Sequence, residues 1–249
     1  MHYFIRVKKF LVVVFVLAVF VMGIRYISEV RLKTIVTTVN EEQGDSHGDG
    51  YIIEDVPHIY QMEIYPTGCE SVAAVSLMQY YNIDITVDEF IDCYLQKADA
   101  PYYEDGILKG ESPWKYFIGN PRSEHGLGCY ATVIEKAVNE ICSGSCDIKV
   151  LTDANLEDIT KNYVVNGIPV MIWATIGMME PCEGDSWELP DGEIFTFIRP
   201  EHALLLVGYD ADNYYFSDSM VDNQVVAYKR SDCERAFNAM GRQAIVVMP

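Results

Sequence analysis

The chain has 249 residues, and half of them are hydrophobic, so it can bury a core and does not have the composition of a disordered protein. Its 18 lysines and arginines against 37 aspartates and glutamates give a net charge of −19, which excludes a general nucleic-acid-binding surface. The sequence contains no Gly-Lys pair and no His-Glu-x-x-His motif, which excludes a P-loop nucleotide site and the commonest zinc-hydrolase helix.

The N-terminal part of the chain is basic and then strongly apolar. Residues 10–24 form an unbroken apolar run that follows Arg6, Lys8 and Lys9, a pattern typical of a signal peptide or a membrane anchor. The run is short for a full span, but its apolar neighbours can lengthen it, and no small-residue cleavage site follows closely. We predict an uncleaved transmembrane signal anchor within residues 1–33, and a secreted protein if the leader is instead cleaved. The basic flank should stay in the cytoplasm, which puts the acidic remainder outside the cell membrane.

Residues 34–50 are mostly polar and glycine-containing and are predicted to be a flexible tether, so the folded domain is expected at residues 51–249. Periodicity predicts helices at residues 69–81, 86–96, 130–142 and 155–166, the second opened by a capping box. It predicts strands at residues 147–151, 169–176, 194–198, 203–209, 214–217, 225–228 and 244–248, with a short helix from residue 231. Residues 98–127 and 180–193 are predicted to be loops. Helices first and antiparallel strands last indicate an α+β fold.

Seven cysteines are present, an odd number, so at least one of them has no intramolecular disulfide partner. None of them forms a Cys-x-x-Cys pair, so no zinc finger is predicted, and neither a metal ion nor another cofactor is expected. Cys142 and Cys146 are close enough in sequence to form a small disulfide outside the cell, or they are two separate buried thiols.

One cysteine stands where a nucleophile would be expected. Cys69 follows Gly68 at the first turn of an apolar helix, where free N–H groups and the helix dipole favour a thiolate, although Glu70 opposes this. A nearby imidazole would be needed to activate it. His202, at the start of an apolar strand, is the candidate base. Asp218, at the end of the next strand of a tight hairpin, is within reach of His202 and can orient its ring.

Two further residues bear on this site. Gln61 precedes Cys69 by eight residues, and its amide together with the Cys69 backbone N–H could stabilise a developing oxyanion. The order Gln, Cys, His and Asp is that of papain-like peptidases. His125 is a rival base, but it lies in a predicted loop with no evident carboxylate partner.

The same segments resemble a known family. The sequence is similar to the bacterial double-glycine leader peptidase-like family of papain-fold cysteine peptidases, and in particular to stand-alone members without an ABC transporter. The resemblance rests on VPHIYQ at 56–61, YPTGCES at 65–71, FIGNPRS at 117–123, GLGCYA at 126–131, PVMIWAT at 169–175, EH at 201–202, GYD at 208–210 and on Asp218. Relatives usually have proline after this aspartate, whereas this chain has Ser219.

The resemblance implies a papain-like fold with Cys69 as nucleophile, His202 as base, Asp218 as orienting residue and Gln61 as oxyanion donor. The function predicted from the sequence is an extracellular, membrane-tethered cysteine peptidase acting on a peptide or protein. Two alternatives stay open: a catalytically silent binding or adhesion module, and an acyl transferase or cell-wall amide hydrolase that uses the same triad.

Overall fold

Apolar runs in the second half of the chain form the strands of the main sheet. The computed structural model describes residues 50–223 and 225–248, so the predicted signal anchor and nearly all of the predicted tether lie outside the described residues. Among the helices of those two ranges, none combines the length and the hydrophobicity needed to cross a bilayer.

The described residues form five α-helices: α1 Cys69–Tyr80, α2 Val87–Glu89, α3 Ala131–Cys142, α4 Leu156–Asn162 and α5 Arg230–Ala239. They form thirteen strands: β1 Tyr51–Ile52, β2 Lys97–Ala98, β3 Tyr102–Glu104, β4 Ile107–Lys109, β5 Phe117–Ile118, β6 Asp147–Leu151, β7 Val170–Thr175, β8 Cys182–Glu188, β9 Ile194–Arg199, β10 Glu201–Tyr209, β11 Asn213–Ser217, β12 Val226–Lys229 and β13 Ala244–Met248. The predicted helices at 69–81 and 130–142 and all the predicted strands are confirmed to within a few residues.

The main sheet is antiparallel, with strand order β12-β11-β10-β7-β13-β6, and β1 pairs with the outer part of β10. Its central strands β7 and β10 are buried almost throughout because α1 packs across them. Helix α1 is apolar on every side, and its first ten residues are all buried. This arrangement confirms the predicted α+β fold and brings the start of α1 to the start of β10.

The two predicted loops at 98–127 and 180–193 were wrong, because both contain strands. β3, β4, β8 and β9 form a second sheet in that order. The acidic β8 is held by one buried side chain, Trp187, which packs against Phe195 and Phe197 and donates from Nε1 to the Glu111 carbonyl at 3.0 Å. The other residues of β8 are mostly solvent-facing, so their acidity resembles that of a loop.

Two predicted helices are shorter than expected. The Thr86 hydroxyl accepts the Glu89 N–H at 3.1 Å, which confirms the predicted start of the second helix. After three α-helical residues the chain continues as one π-helical turn, Phe90–Tyr94, and then becomes extended. Helix α4 likewise ends at Asn162 and is followed by a short 3₁₀ turn that stops at Gly167.

Candidate active site

Helix α1 and strand β10 together position the candidate nucleophile. Cys69 is the first residue of α1, and the backbone N–H of Ala203 in β10 donates to its Sγ at 3.5 Å. His202, the preceding residue of β10, lines the same cleft as Cys69 and Gln61. The packing of α1 on the sheet therefore brings together a thiol, an imidazole and an amide that are far apart in sequence.

The hairpin of β10 and β11 places a carboxylate beside the imidazole. His202 Nε2 and Asp218 Oδ1 are 2.8 Å apart, and each side chain is only 1% exposed. Asp218 Oδ1 also accepts the Met220 N–H at 3.0 Å, and Oδ2 accepts the Tyr228 hydroxyl at 2.8 Å. Burial acts to raise the pKa of Asp218, but His202 and these two donors outweigh it and lower the pKa to about 2.

The carboxylate also determines which ring nitrogen of His202 is free. Because Asp218 accepts a hydrogen bond from Nε2, the neutral imidazole carries its proton there and leaves a lone pair at Nδ1. Nδ1 is buried and has no hydrogen-bond partner among the described residues. The ring is thus held in the tautomer that can accept a proton from a thiol.

The Cys69 thiol has acidic neighbours that oppose its ionisation. Its Sγ donates to Glu70 Oε2 at 3.3 Å. Burial raises the pKa of Cys69 well above its ordinary value, and the carboxyls of Glu70 and Glu201 raise it further. The helix start therefore does not lower the pKa of this thiol by itself, which agrees with the opposing effect that the sequence predicts for Glu70.

Glu70 is fully buried. The sequence did not predict that Glu201 would be a second acidic neighbour of Cys69. Burial raises the pKa of Glu70 to about 7, although backbone N–H groups, including that of Cys129 at 2.6 Å, act to lower it. The ligand atoms of Cys69, Glu70 and Glu201 all lie within 4.8 Å of one another, close enough to surround a metal ion.

The Gln61 side chain is buried and held at both ends. Its Oε1 accepts the Ser219 hydroxyl, and its Nε2 donates to the carbonyls of Tyr65 at 3.2 Å and Pro66 at 3.3 Å. Ser219, where the sequence departs from its relatives, therefore links Gln61 to the segment that carries Asp218. Gln61 lines the cleft, but both hydrogen bonds that its Nε2 donates go to backbone carbonyls.

The rival base His125 and the predicted cysteine pair make fewer contacts than the residues above. His125 lines the same cleft, but its imidazole has no carboxylate partner in the described part of the chain. All seven cysteines are free thiols in the structure, including Cys142 and Cys146.

A model of the Peptidase_C39 like family matches residues 53–245. The chain belongs to this family. A protein from Bacillus anthracis described as a C39-like peptidase has a similar structure, with 26% identity, a TM-score of 0.70, and coverage of 81% of this chain and 98% of that chain. No curated protein matches the sequence.

Two transporter-associated peptidases also match, with lower scores. One is the double-glycine motif protease of an AMS/PCAT transporter, with 14% identity, a TM-score of 0.45, and coverage of 82% of this chain and 96% of that one. The other is the peptidase domain of Streptococcus ComA, with 11% identity, a TM-score of 0.47, and coverage of 78% and 98%. Family membership and the Bacillus anthracis relative identify this C39-like protein as a cysteine peptidase-like hydrolase with a papain-like fold.

The buried Asp218 gives this C39-like protein an acid-sensitive stability. Its pKa is lowered from 3.8 to about 2, which corresponds to about 2 kcal/mol of folding free energy. A lowered pKa stabilises the fold above the unfolded value near 3.8, and the contribution is lost as pH falls through about 2. We expect the unfolding free energy of the wild type to fall about 2 kcal/mol further than that of Asp218→Asn between these values. Urea unfolding at several pH values measures the difference, and parallel curves would contradict it.

Proposed function

We propose that this protein is a bacterial cysteine peptidase that cleaves a peptide or protein outside the cell. Cys69 is the nucleophile, His202 transfers the proton, Asp218 orients the imidazole, and Gln61 helps to stabilise the oxyanion. The observation that supports this most strongly is the buried 2.8 Å contact between His202 Nε2 and Asp218, which leaves Nδ1 free in the cleft that Cys69 lines.

The reaction proceeds in two halves. The Cys69 thiol turns from Glu70 towards His202 and gives its proton to Nδ1 as sulfur attacks the peptide carbonyl carbon. The resulting oxyanion accepts hydrogen bonds from the Cys69 backbone N–H and from Gln61 Nε2, which gives up its 3.3 Å contact with the Pro66 carbonyl to make this one. The imidazolium returns the proton to the leaving amine, which breaks the C–N bond and leaves a thioester on Cys69. Water, deprotonated by Nδ1, then attacks the thioester and frees the acid and the thiol.

The cellular location rests on the sequence. The apolar run at residues 10–24 and its basic flank favour a single anchor with the peptidase domain outside the membrane. Protease treatment of intact cells tests this proposal: an external domain is degraded, whereas an internal one survives until the cells are lysed. Extraction of the protein at high pH without detergent would instead favour a cleaved leader.

Peptide hydrolysis itself is tested with the full chain in detergent and a diverse peptide library, with new termini identified by mass spectrometry. We expect cleavage that iodoacetamide abolishes. The control is the double variant Cys93→Ser/Cys182→Ser, which removes two exposed thiols that are not part of the cleft lining. It should cleave normally and still be inactivated. Inactivation that disappears in this control would show that another cysteine is the target.

Two alternative functions are outcomes of the same assay. Cleavage in ¹⁸O-labelled water places one label in each new carboxyl group if water is the acceptor, whereas an acyl transferase yields unlabelled products joined to an added amine. No cleavage, with Cys69 alkylated no faster than the other thiols, would favour the binding module.

The proposed role of Gln61 predicts a loss in kcat without a comparable change in KM. We expect Gln61→Ala to lower kcat by about 10²- to 10³-fold with little change in KM, because the amide acts on the transition state. Ser219→Ala is the matched control, since it removes only the hydroxyl that holds Gln61 Oε1. Steady-state kinetics of both variants decide the role: an equal loss in Ser219→Ala would mean that Gln61 acts by holding the loop.

A further inference from the structure

Two carboxyl groups lie close to the sulfur atom of Cys69, the proposed nucleophile. Cys69 Sγ lies 3.3 Å from Glu70 Oε2, and a ligand atom of Glu201 lies within 4.8 Å of both groups. Glu70 follows Cys69 in α1, whereas Glu201 begins β10, so the cluster exists only in the folded chain. The mechanism above uses the sulfur atom of this cluster but neither carboxyl group.

The two acids lack a permanently charged counter-ion among the described residues, although His202 acts to lower the pKa of Glu70. Glu70 is fully buried, and the Oε1 atom of Glu201 is shielded from solvent without a hydrogen-bond partner. In the part of the chain that the structure describes, neither acid forms an ion pair with lysine or arginine. Buried carboxylates without a counter-charge are costly. A solvent-shielded carboxylate oxygen without a partner, on a residue of this cluster, is available as a cation ligand.

The spacing fits a thiophilic divalent ion. With zinc bonds of about 2.3 Å to sulfur and about 2.0 Å to oxygen, tetrahedral geometry puts the two ligand atoms about 3.5 Å apart. The observed distance from Cys69 Sγ to Glu70 Oε2 is 3.3 Å. Thiolate favours zinc over calcium or magnesium, which prefer oxygen ligands alone.

The backbone of a glycine packs against both carboxyl groups. Gly128 has φ +118°, and a Cβ atom there would lie 2.6 Å from Glu70 Oε1 and 2.8 Å from Glu201 Oε2. The absence of this Cβ lets the two carboxyl groups pack against the chain. A second backbone contact, from the Cys129 N–H to Glu70 Oε1, fixes the inner acid. The Glu70 carboxyl is thus held in place before any ion binds.

We propose that Cys69, Glu70 and Glu201 bind one Zn²⁺ ion, and that the bound ion blocks the nucleophile. The sulfur lone pair forms the Zn–S bond, the thiol proton leaves to solvent, and nothing is oxidised or reduced. Cys69 and Glu201 both line the cleft, which gives the ion an entry path. Binding is independent of the peptidase activity, whereas the inhibition rests on the proposed function.

The test is metal binding by the full chain in detergent. Cd²⁺ is the spectroscopic probe, because a cadmium–thiolate bond gives an ultraviolet charge-transfer band, and calorimetry with Zn²⁺ gives the affinity. We expect one equivalent to bind and the band to be lost in Cys69→Ala. Glu201→Gln, which removes one ligand without changing the size of the side chain, should weaken Zn²⁺ binding about tenfold or more. The exposed Glu140→Gln has the same charge change and should bind as the wild type does.

The contrary result is equally specific. If Glu201→Gln binds Zn²⁺ as tightly as the wild type, Glu201 is not a ligand and the proposal is wrong. Glu70→Gln repeats the test from the second acid if Glu201→Gln does not fold. A chain that binds Zn²⁺ through these residues but cleaves no peptide would disprove the proposed function alone, and an active chain that Zn²⁺ does not inhibit would disprove only this inference.

Discussion

Replacement of Cys69 by alanine is expected to lower kcat/KM for peptide hydrolysis by about 10⁴-fold or more, because no thioester can form without the sulfur atom. The same change removes the thiol that donates to Glu70 Oε2, so Glu70 keeps its backbone contact with Cys129 but loses its contact with the nucleophile. Steady-state kinetics of the full chain, with thermal unfolding followed in parallel, measure the effect.

The matched control for this change is Cys233→Ala. Cys233 is fully buried in α5 and does not line the cleft, so the same atom is deleted from a similar environment away from the chemistry. Both variants should lose about 1 kcal/mol of stability from the lost packing. Only Cys69→Ala should lose activity. Residual turnover near the wild-type value in Cys69→Ala would remove Cys69 as the nucleophile.

The surroundings of the Cys69 thiol bear on how the site works. Burial and the carboxyl groups of Glu70 and Glu201 raise the pKa of Cys69, and the backbone N–H of Ala203 acts to lower it. The site thus differs from one in which a helix start alone activates sulfur. Its reactivity depends on the approach of Nδ1 and on substrate, which excludes water from the cleft and strengthens the sulfur–imidazole contact.

The central layer could be predicted because its signals are long and consistent. Helix α1 and strands β7 and β10 are continuous apolar segments bounded by turn residues, and burial on all sides requires that composition. The tight turn at residues 210–213 predicts that the end of β11 returns to the start of β10, so the approach of Asp218 to His202 followed from local sequence, although a register shift between Leu206 and Gly208 lies between the turn and the site. Asp210 is at the opposite end of this hairpin from His202, which is why the sequence favours Asp218.

The remainder depends on contacts that the sequence does not reveal. The strand β8 is stabilised by a single tryptophan among acidic residues and by pairing with β9 and β4, so its own composition resembles a loop. The meeting of Glu70 with Glu201 is a tertiary contact between residues far apart in the chain. Sequence motifs for metal sites rely on ligands that are close together in the sequence. They therefore do not predict a cluster that includes Glu201.

Replacement of His202 by alanine is expected to slow alkylation of Cys69 at neutral pH and to lower kcat/KM by at least about 10³-fold. The reason is that the carboxyl neighbours already raise the pKa of the thiol, and the variant removes the imidazole that takes its proton in the proposed reaction. The variant also leaves Asp218 buried with only Met220 and Tyr228 as donors, which should cost about 3 kcal/mol of stability. Loss of fold and loss of chemistry must therefore be measured separately.

Alkylation read for each cysteine by peptide mass spectrometry makes that separation. The exposed Cys93 is the internal reference, because its rate should be the same in wild type and in a folded His202→Ala variant. A variant that unfolds would instead expose Cys233, which is inert in the native core. His125→Ala tests the rival base in the same cleft. A larger loss in His125→Ala than in His202→Ala would transfer the role to His125, and an unchanged Cys69 rate in both would show that sulfur reacts here without an imidazole.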